Sequence, residues 1–241
     1  SLVIVYRQRT DHPAFETWAD LLDPALKGKI ALPDHPNVVL GLLQKMQTGS
    51  FNSRFDSLAN NSQADSNTST TQLTSKLTNK LTEQLSTQLA APFAELNQQV
   101  RTYDSRTALK ALVNEDLQAI VTWSGDVVTA LQRYRSLRAI VPDEGSLLSA
   151  DMWVRPKGAS LNEAARAWID FCWQTGPATQ LSVSGAGISP TFLTEQALPE
   201  TIAGGYLSRV AMQNSEPLLP LPEAMQAAYF ALWQQLRSQA A

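Results

Sequence analysis

Cysteine is almost missing from this 241-residue chain: Cys172, between Phe171 and Trp173, stands alone. No intrachain disulfide and no cysteine-built metal site can therefore form, and in that apolar setting the residue reads as a small buried hydrophobe. Histidine is limited to His12 and His35, each followed by proline, too few for an imidazole-built zinc site. Charge is also scarce. Charged residues make up 17% of the chain, against roughly 25% in typical soluble domains. The 19 Lys and Arg residues against 22 Asp and Glu leave a net charge of −3, so the basic footprint of a nucleic-acid binder is absent. No run of about 18 apolar residues occurs, so no transmembrane helix is expected. The sequence has no Gly-x-Gly-x-x-Gly, no Walker loop, no Gly-x-Ser-x-Gly elbow and no His-Glu-x-x-His, and it has no nucleophile with a plausible histidine base. Binding without catalysis, cofactor or metal is the expectation.

What is present alternates between strands and helices. Leu2 to Tyr6 is a continuous β-branched and aromatic run, the pattern of a strand buried on both faces, and a parallel sheet is the expected setting. Opening this way, without methionine or a signal-peptide pattern, the chain is expected to begin inside a fold. Thr17 to Leu22 reads as a capped helical turn, Ile30 to Leu32 as a strand ended by Pro33, and Asn37 to Gln47 as a helix with Val38, Leu42 and Met46 on one face. From Thr48 to Thr71, Asn, Ser, Thr, Gln and Asp dominate, the composition of a mobile surface insertion. Leu73, Leu77, Leu81, Leu85 and Leu89 follow at a strict spacing of four. On a helix of 3.6 residues per turn that stripe drifts by about 40° per step, so it slants across the surface and makes no heptad seam.

Further along, Thr107 to Asn114 reads as a helix, Ala119 to Trp123 as a strand, and Ser124 to Asp126 as the turn into a helix from Val127 to Arg135. Arg138 to Val141 reads as a strand, and Leu147 to Val154 is an apolar run broken by Ser149 and Asp151. Helices are expected from Asn162 to Cys172, from Pro177 and from Pro222 to Gln239, and the glycine-rich Ser182 to Gly187 reads as a loop at a helix end. This order predicts an α/β fold with a mainly parallel sheet.

An ordered set of residues carries a family resemblance: Trp18-x-Asp-Leu-x-x-Pro24, Lys27 to Asp34, Tyr103-x-Ser105, Val121-Thr-Trp-Ser-Gly125, Glu144-Gly145, Asp151, and Ala167-Trp-Ile-Asp-Phe171. Together they resemble the periplasmic polyamine-binding proteins, the spermidine and putrescine receptors of ABC importers. The resemblance implies a two-lobed type II periplasmic-binding fold, one lobe essentially complete and the other partial. Residues 1–150 would form the second lobe, carrying the polar insertion and the leucine-striped helix at about 73–90. Residues 151–198 would supply helices to a first lobe whose N-terminal part is missing, and residues 199–241 would return to the second. It further implies a polyamine or similar small cationic ligand, lobe closure upon it, an ABC permease as membrane partner, a monomer, and a periplasmic or membrane-anchored extracytoplasmic location.

A polyamine site must pair each ammonium with a carboxylate or hydroxyl, because a desolvated charge is costly alone, and aromatic faces suit both the methylenes and the charge. Trp123, ending a strand and preceding a helix, sits where open α/β sheets bind ligands and matches a cleft tryptophan of the family. Asp151 matches an amine-gripping carboxylate and Ser105 a cleft hydroxyl. The sequence also departs from the family. Ser149 replaces a second tryptophan, His35 and Val38 stand where spermidine receptors have an acidic pair, leaving neighbouring Asp34 to take that role, and Gly187 replaces an aromatic. These departures point to a shorter diamine or another solute. The alternatives are a ferric-ion receptor of the same fold, which would need clustered tyrosines, and a ligand-free interaction module recruiting a partner through the Leu73 to Leu89 helix.

Overall fold

The structure is a computed structural model that describes residues 1–8, 14–52, 70–184, 188–192 and 214–239, with side chains of the long helix described from residue 77. Of the polar insertion, residues 53–69 lie outside the described residues, as does Gly187; residues 48–52 are described, and Phe51 is buried in the core, so the first part of that segment belongs to the packed fold and is not a mobile surface insertion. In chain order the elements are β1 (Leu2–Arg7), the 3-10 turns Trp18–Leu22 and Pro24–Leu26, β2 (Ile30–Leu32), α1 (Pro36–Thr48), α2 (Thr70–Asn97) and β3 (Val100–Tyr103). They continue as α3 (Ala108–Val113), β4 (Ala119–Trp123), α4 (Ser124–Arg133), β5 (Leu137–Ile140), β6 (Leu147–Leu148), α5 (Glu163–Cys172), α6 (Thr175–Val183), β7 (Glu216–Pro217) and α7 (Glu223–Gln239).

The main sheet has five strands in the order β3-β2-β4-β1-β5. Alternation along the strands divides its side chains between two layers. Leu2, Ile4, Tyr6, Ile30, Leu32, Ala119 and Val121 face α1, α2 and α7. Val3, Val5, Ala31 and Ile120 face Ala108 and Leu112 of α3 and Val127 of α4. Both faces are covered, so the inner strands β1, β2 and β4 are apolar at successive positions, whereas the outer strands β3 and β5 carry Arg101 and Arg138.

The direction of β1 is a correction. β2 runs parallel to β3 and β4, but β1 is antiparallel to both β4 and β5, so four of the five strands share one direction, as a mainly parallel sheet predicts, and β1 is reversed among them. Burial on two faces dictates a continuous apolar run whichever way the strand points, and nothing in Leu2 to Tyr6 encodes direction. The apolar run after Gly145 is also mostly not strand. Only Leu147 and Leu148 pair, with β7, while Met152, Trp153 and Val154 are exposed.

The leucine stripe is core. Leu81, Leu85 and Leu89 are buried and continue into Phe93 and Leu96, where α7 packs on them with Met225, Ala228, Tyr229, Leu232, Trp233 and Leu236. Leu77, nearer the start of the helix, is 47% exposed. The surface that a partner-recruiting helix would need is thus already occupied by α7. Pro92 lies inside α2 and cannot donate to the carbonyl four residues back; that carbonyl, on Gln88, instead accepts a long hydrogen bond from Gln47 Nε2 at 3.5 Å.

Several residues that carry the family resemblance serve the fold. Trp18 is fully buried; its Nε1–H donates to the Gly145 carbonyl at 2.9 Å, and its backbone N–H reaches the Glu144 carboxylate at 3.2 Å. Asp20 accepts from the backbone N–H groups of Glu16 and Thr17, both at 2.7 Å. Gly145 has φ +85, and a Cβ there would lie 2.0 Å from the Asn214 carbonyl oxygen, so only glycine fits. Next to it, the Ser146 hydroxyl donates to the Leu2 carbonyl, tying the segment that leads into β6 to the start of β1.

Candidate functional site

The parallel strands β2, β3 and β4 bring their carboxyl ends to one edge of the sheet. Ala31 pairs with Ile120 and Leu32 with Tyr103, so Asp34, Ser105 and Trp123 emerge together, each two or three residues beyond a position paired between the parallel strands. The antiparallel β1 starts at this same edge, with Leu2 opposite Trp123. Trp123 is half-buried and rests against the core layer of α1, α2 and α7, so the tryptophan is partly core and partly surface. Its helix α4 starts immediately, placing Asp126 in the first turn, where Asp126 accepts from Thr122 Oγ1 at 3.5 Å and favours the positive end of the helix dipole.

Ser105 is joined to Asp34. Its hydroxyl oxygen accepts the Asp34 backbone N–H at 3.0 Å, which fixes the β3 loop against the β2 loop and leaves the hydroxyl proton to donate elsewhere. Beside it, the Asp104 carboxylate accepts from the Thr107 hydroxyl and from the backbone N–H groups of Arg106 and Thr107. These bonds, the Thr107 hydroxyl foremost, hold the Asp104 carboxyl below its usual range.

The Asp34 carboxylate is itself already partnered. Arg237, near the end of α7, donates to Asp34 Oδ1 at 2.8 Å. The guanidinium also lies 5.2 Å from the Tyr103 ring centre and 5.5 Å from that of Trp233. Those rings meet edge to face at 4.9 Å, with Phe93 behind both. Tyr103 donates its hydroxyl to Asn97 Oδ1 at 2.7 Å, and burial pushes its phenol pKa well up, partly opposed by Arg237. Neither Arg237 nor Trp233 was expected at this edge. Arg237 is separated from Asp34 by 203 positions, and only its place four residues after an aromatic on an amphipathic helix hints at a shared face.

Of the substituted positions, Val38 is buried in the core, so it faces α1's packing rather than the edge, whereas His35 and Ser149 are exposed. Asp151 is exposed three residues past β6, with no hydrogen bond or ion pair to the other three residues. The structure therefore groups Asp34, Ser105 and Trp123 and leaves Asp151 on a separate segment. Among the described residues no group of His, Cys, Asp and Glu could hold a metal ion, and no helix is long and apolar enough to cross a membrane.

A family model described as bacterial extracellular solute-binding protein matches residues 7–210. The whole chain superposes on 67% of a spermidine/putrescine ABC transporter substrate-binding protein from Streptococcus pneumoniae, with TM-score 0.74 and 22% identity. It also superposes on 66% of a Treponema pallidum lipoprotein named for PotD, with 98% of this chain covered, TM-score 0.71 and 13% identity. A Listeria monocytogenes chain assigned to a spermidine/putrescine ABC transporter gives 22% identity and TM-score 0.68, with 99% of this chain and 66% of that one covered. The chain thus spans about two thirds of each of these structures and shares the fold of two-lobed periplasmic binding proteins. Among curated proteins none matches.

Proposed function

The chain belongs to the bacterial extracellular solute-binding proteins, and from that premise we propose that it is the larger part of an extracytoplasmic, non-catalytic receptor that closes on a polyamine or similar small cation and presents it to an ABC permease. The observation that carries this reading is the joint placement of an aromatic face, Trp123, with Asp34, Asp126 and the Ser105 hydroxyl at the carboxyl ends of parallel strands. Open α/β sheets bind ligands at that edge, and a cation needs both kinds of group. The spermidine/putrescine names of the similar structures are in keeping with it.

In this proposal residues 1–150 and the tail containing α7 form one lobe, since α7 packs directly on the sheet layer. Residues 151–198 contribute to the other lobe. Helices α5 and α6 leave Trp168, Phe171, Trp173 and Leu181 exposed, a surface suited to the further third of structure that the longer relatives possess. Asp151, on the segment between the lobes, would meet the ligand when they close, and the closed receptor acts as a monomer.

The test is calorimetry on the full-length receptor with putrescine, spermidine, amino acids and ferric ion. A diamine or triamine should bind, and Trp123→Ala should weaken it by about five- to thirtyfold, in line with loss of roughly 1–2 kcal/mol of aromatic contact to a desolvated cation. An unchanged dissociation constant would remove Trp123 from the site, and tight binding of an amino acid or ferric ion alone would replace the polyamine reading.

A further inference from the structure

The edge that would receive a ligand cation already holds one belonging to the protein. Arg237 pairs with Asp34 at 2.8 Å and is seated against Tyr103 and Trp233 at 5.2 and 5.5 Å. Carboxylate in front, aromatic rings alongside: this is the environment a ligand ammonium seeks. We infer that Arg237 is a specificity-determining residue, an internal competitor that fills the Asp34 subsite and so removes one carboxylate from those offered to a polyamine.

The inference rests on the amine reading of the cleft and deepens it. The pair is half-open, with side chains 42% and 49% exposed, and such ion pairs are weak enough to exchange partners. A guanidinium is rigidly forked and less strongly hydrated than an ammonium, which suits it to lie on Tyr103 and Trp233 while reaching Asp34. Its tether keeps it at high effective concentration beside the carboxylate. A ligand with several ammonium groups must then displace Arg237 or leave Asp34 unused. A short diamine held elsewhere, by Asp151 and Trp123, is penalised less. Selection between short and long amines would thus be set partly by α7, an element remote in sequence from the strands that carry the site.

Calorimetry on the full-length receptor with putrescine and spermidine tests this in wild type, Arg237→Gln, Arg237→Lys, Asp34→Asn and the Arg237→Gln/Asp34→Asn double variant. Arg237→Gln should tighten spermidine by about two- to tenfold, the range set by release of an exposed ion pair and one recovered charge-assisted bond, with a smaller change for putrescine. Adding Asp34→Asn should erase the gain, and Arg237→Lys, which keeps the charge but not the planar stacking, should lie near wild type. Spermidine binding by Arg237→Gln that is equal to or weaker than wild type, with an unchanged near-ultraviolet tryptophan spectrum, overturns the competitor role, as does a gain that persists without Asp34. Trp123→Ala separates the two claims. If amines bind through Trp123 and Arg237→Gln brings no gain, only the competitor falls; if neither wild type nor Arg237→Gln binds any amine, the amine reading falls with it.

Discussion

Glu216 should be a principal acid-sensitive point of this fold. In β7 it sits 3.6 Å from the Lys45 ammonium of α1, their side chains 22% and 4% exposed. It also accepts from the Ser50 hydroxyl at 2.7 Å, the Phe51 backbone N–H at 2.7 Å and Asn52 Nδ2 at 2.9 Å. Burial alone would raise its pKa, but these bonds and Lys45 outweigh it, and the net shift is downward from 4.5. A carboxyl whose folded pKa is depressed adds stability above its unfolded value, and that stability is lost as pH falls through the folded value. The expected outcome is a wild-type urea midpoint that declines as pH drops below about 4.5 and a shallower decline in Glu216→Gln. At pH 7, Glu216→Ala leaves the buried Lys45 without its carboxylate. Breaking a fully buried pair costs about 3–5 kcal/mol and an exposed one about 0–1. Glu216 is mostly but not wholly covered, so about 2–3 kcal/mol is expected, or roughly 5–10 °C in Tm at this chain length. Glu216→Gln keeps an acceptor oxygen and should lose about half of that. Identical acid slopes in wild type and Glu216→Gln, together with a pH 7 difference below about 0.5 kcal/mol, would refute the linkage.

Three further substitutions probe the packing, each read by the urea midpoint. Leu89→Ala removes a fully buried side chain and should cost about 2–5 kcal/mol, whereas Leu77→Ala, at a 47% exposed position, should change stability by under about 0.5 kcal/mol; equal effects would mean that the stripe does not pack beneath α7. Gly145→Ala, where φ is +85 and the new Cβ would meet the Asn214 carbonyl, should cost at least about 2 kcal/mol through strain and steric overlap, and near-neutral stability would show that the turn can relax.

Local chemistry in the sequence was a good guide wherever neighbours along the chain decide the outcome. β4 forms over Ala119–Trp123 as its residue types suggest. α5 starts directly after Asn162, whose side chain accepts from the Ala165 N–H, and α1 ends at the left-handed Gly49. The common placement of Trp123, Ser105 and Asp34 follows from the same local reading, because parallel strands share a direction. What long-range geometry decides was hidden. Strand direction in β1 leaves no trace in a doubly buried run. The Asp34–Arg237 pair depends on how α7 lies across α2. Pro92 was no stop signal for α2, because a side chain from α1 approaches the carbonyl it leaves unserved.

The Ser146 hydroxyl on the Leu2 carbonyl has a mechanical consequence. Leu2 is also the register partner of Trp123, and Leu147 is buried in the same core layer. The start of β1 and the segment leading to β6 are therefore riveted at a single point, directly beside the tryptophan. Anything that swings on these two connections turns about one shared pivot rather than two independent ones. The lever arm from that pivot to Trp123 is then no more than the spacing between neighbouring strands, about 5 Å. A large rotation at the far end of the molecule would displace the Trp123 ring only slightly.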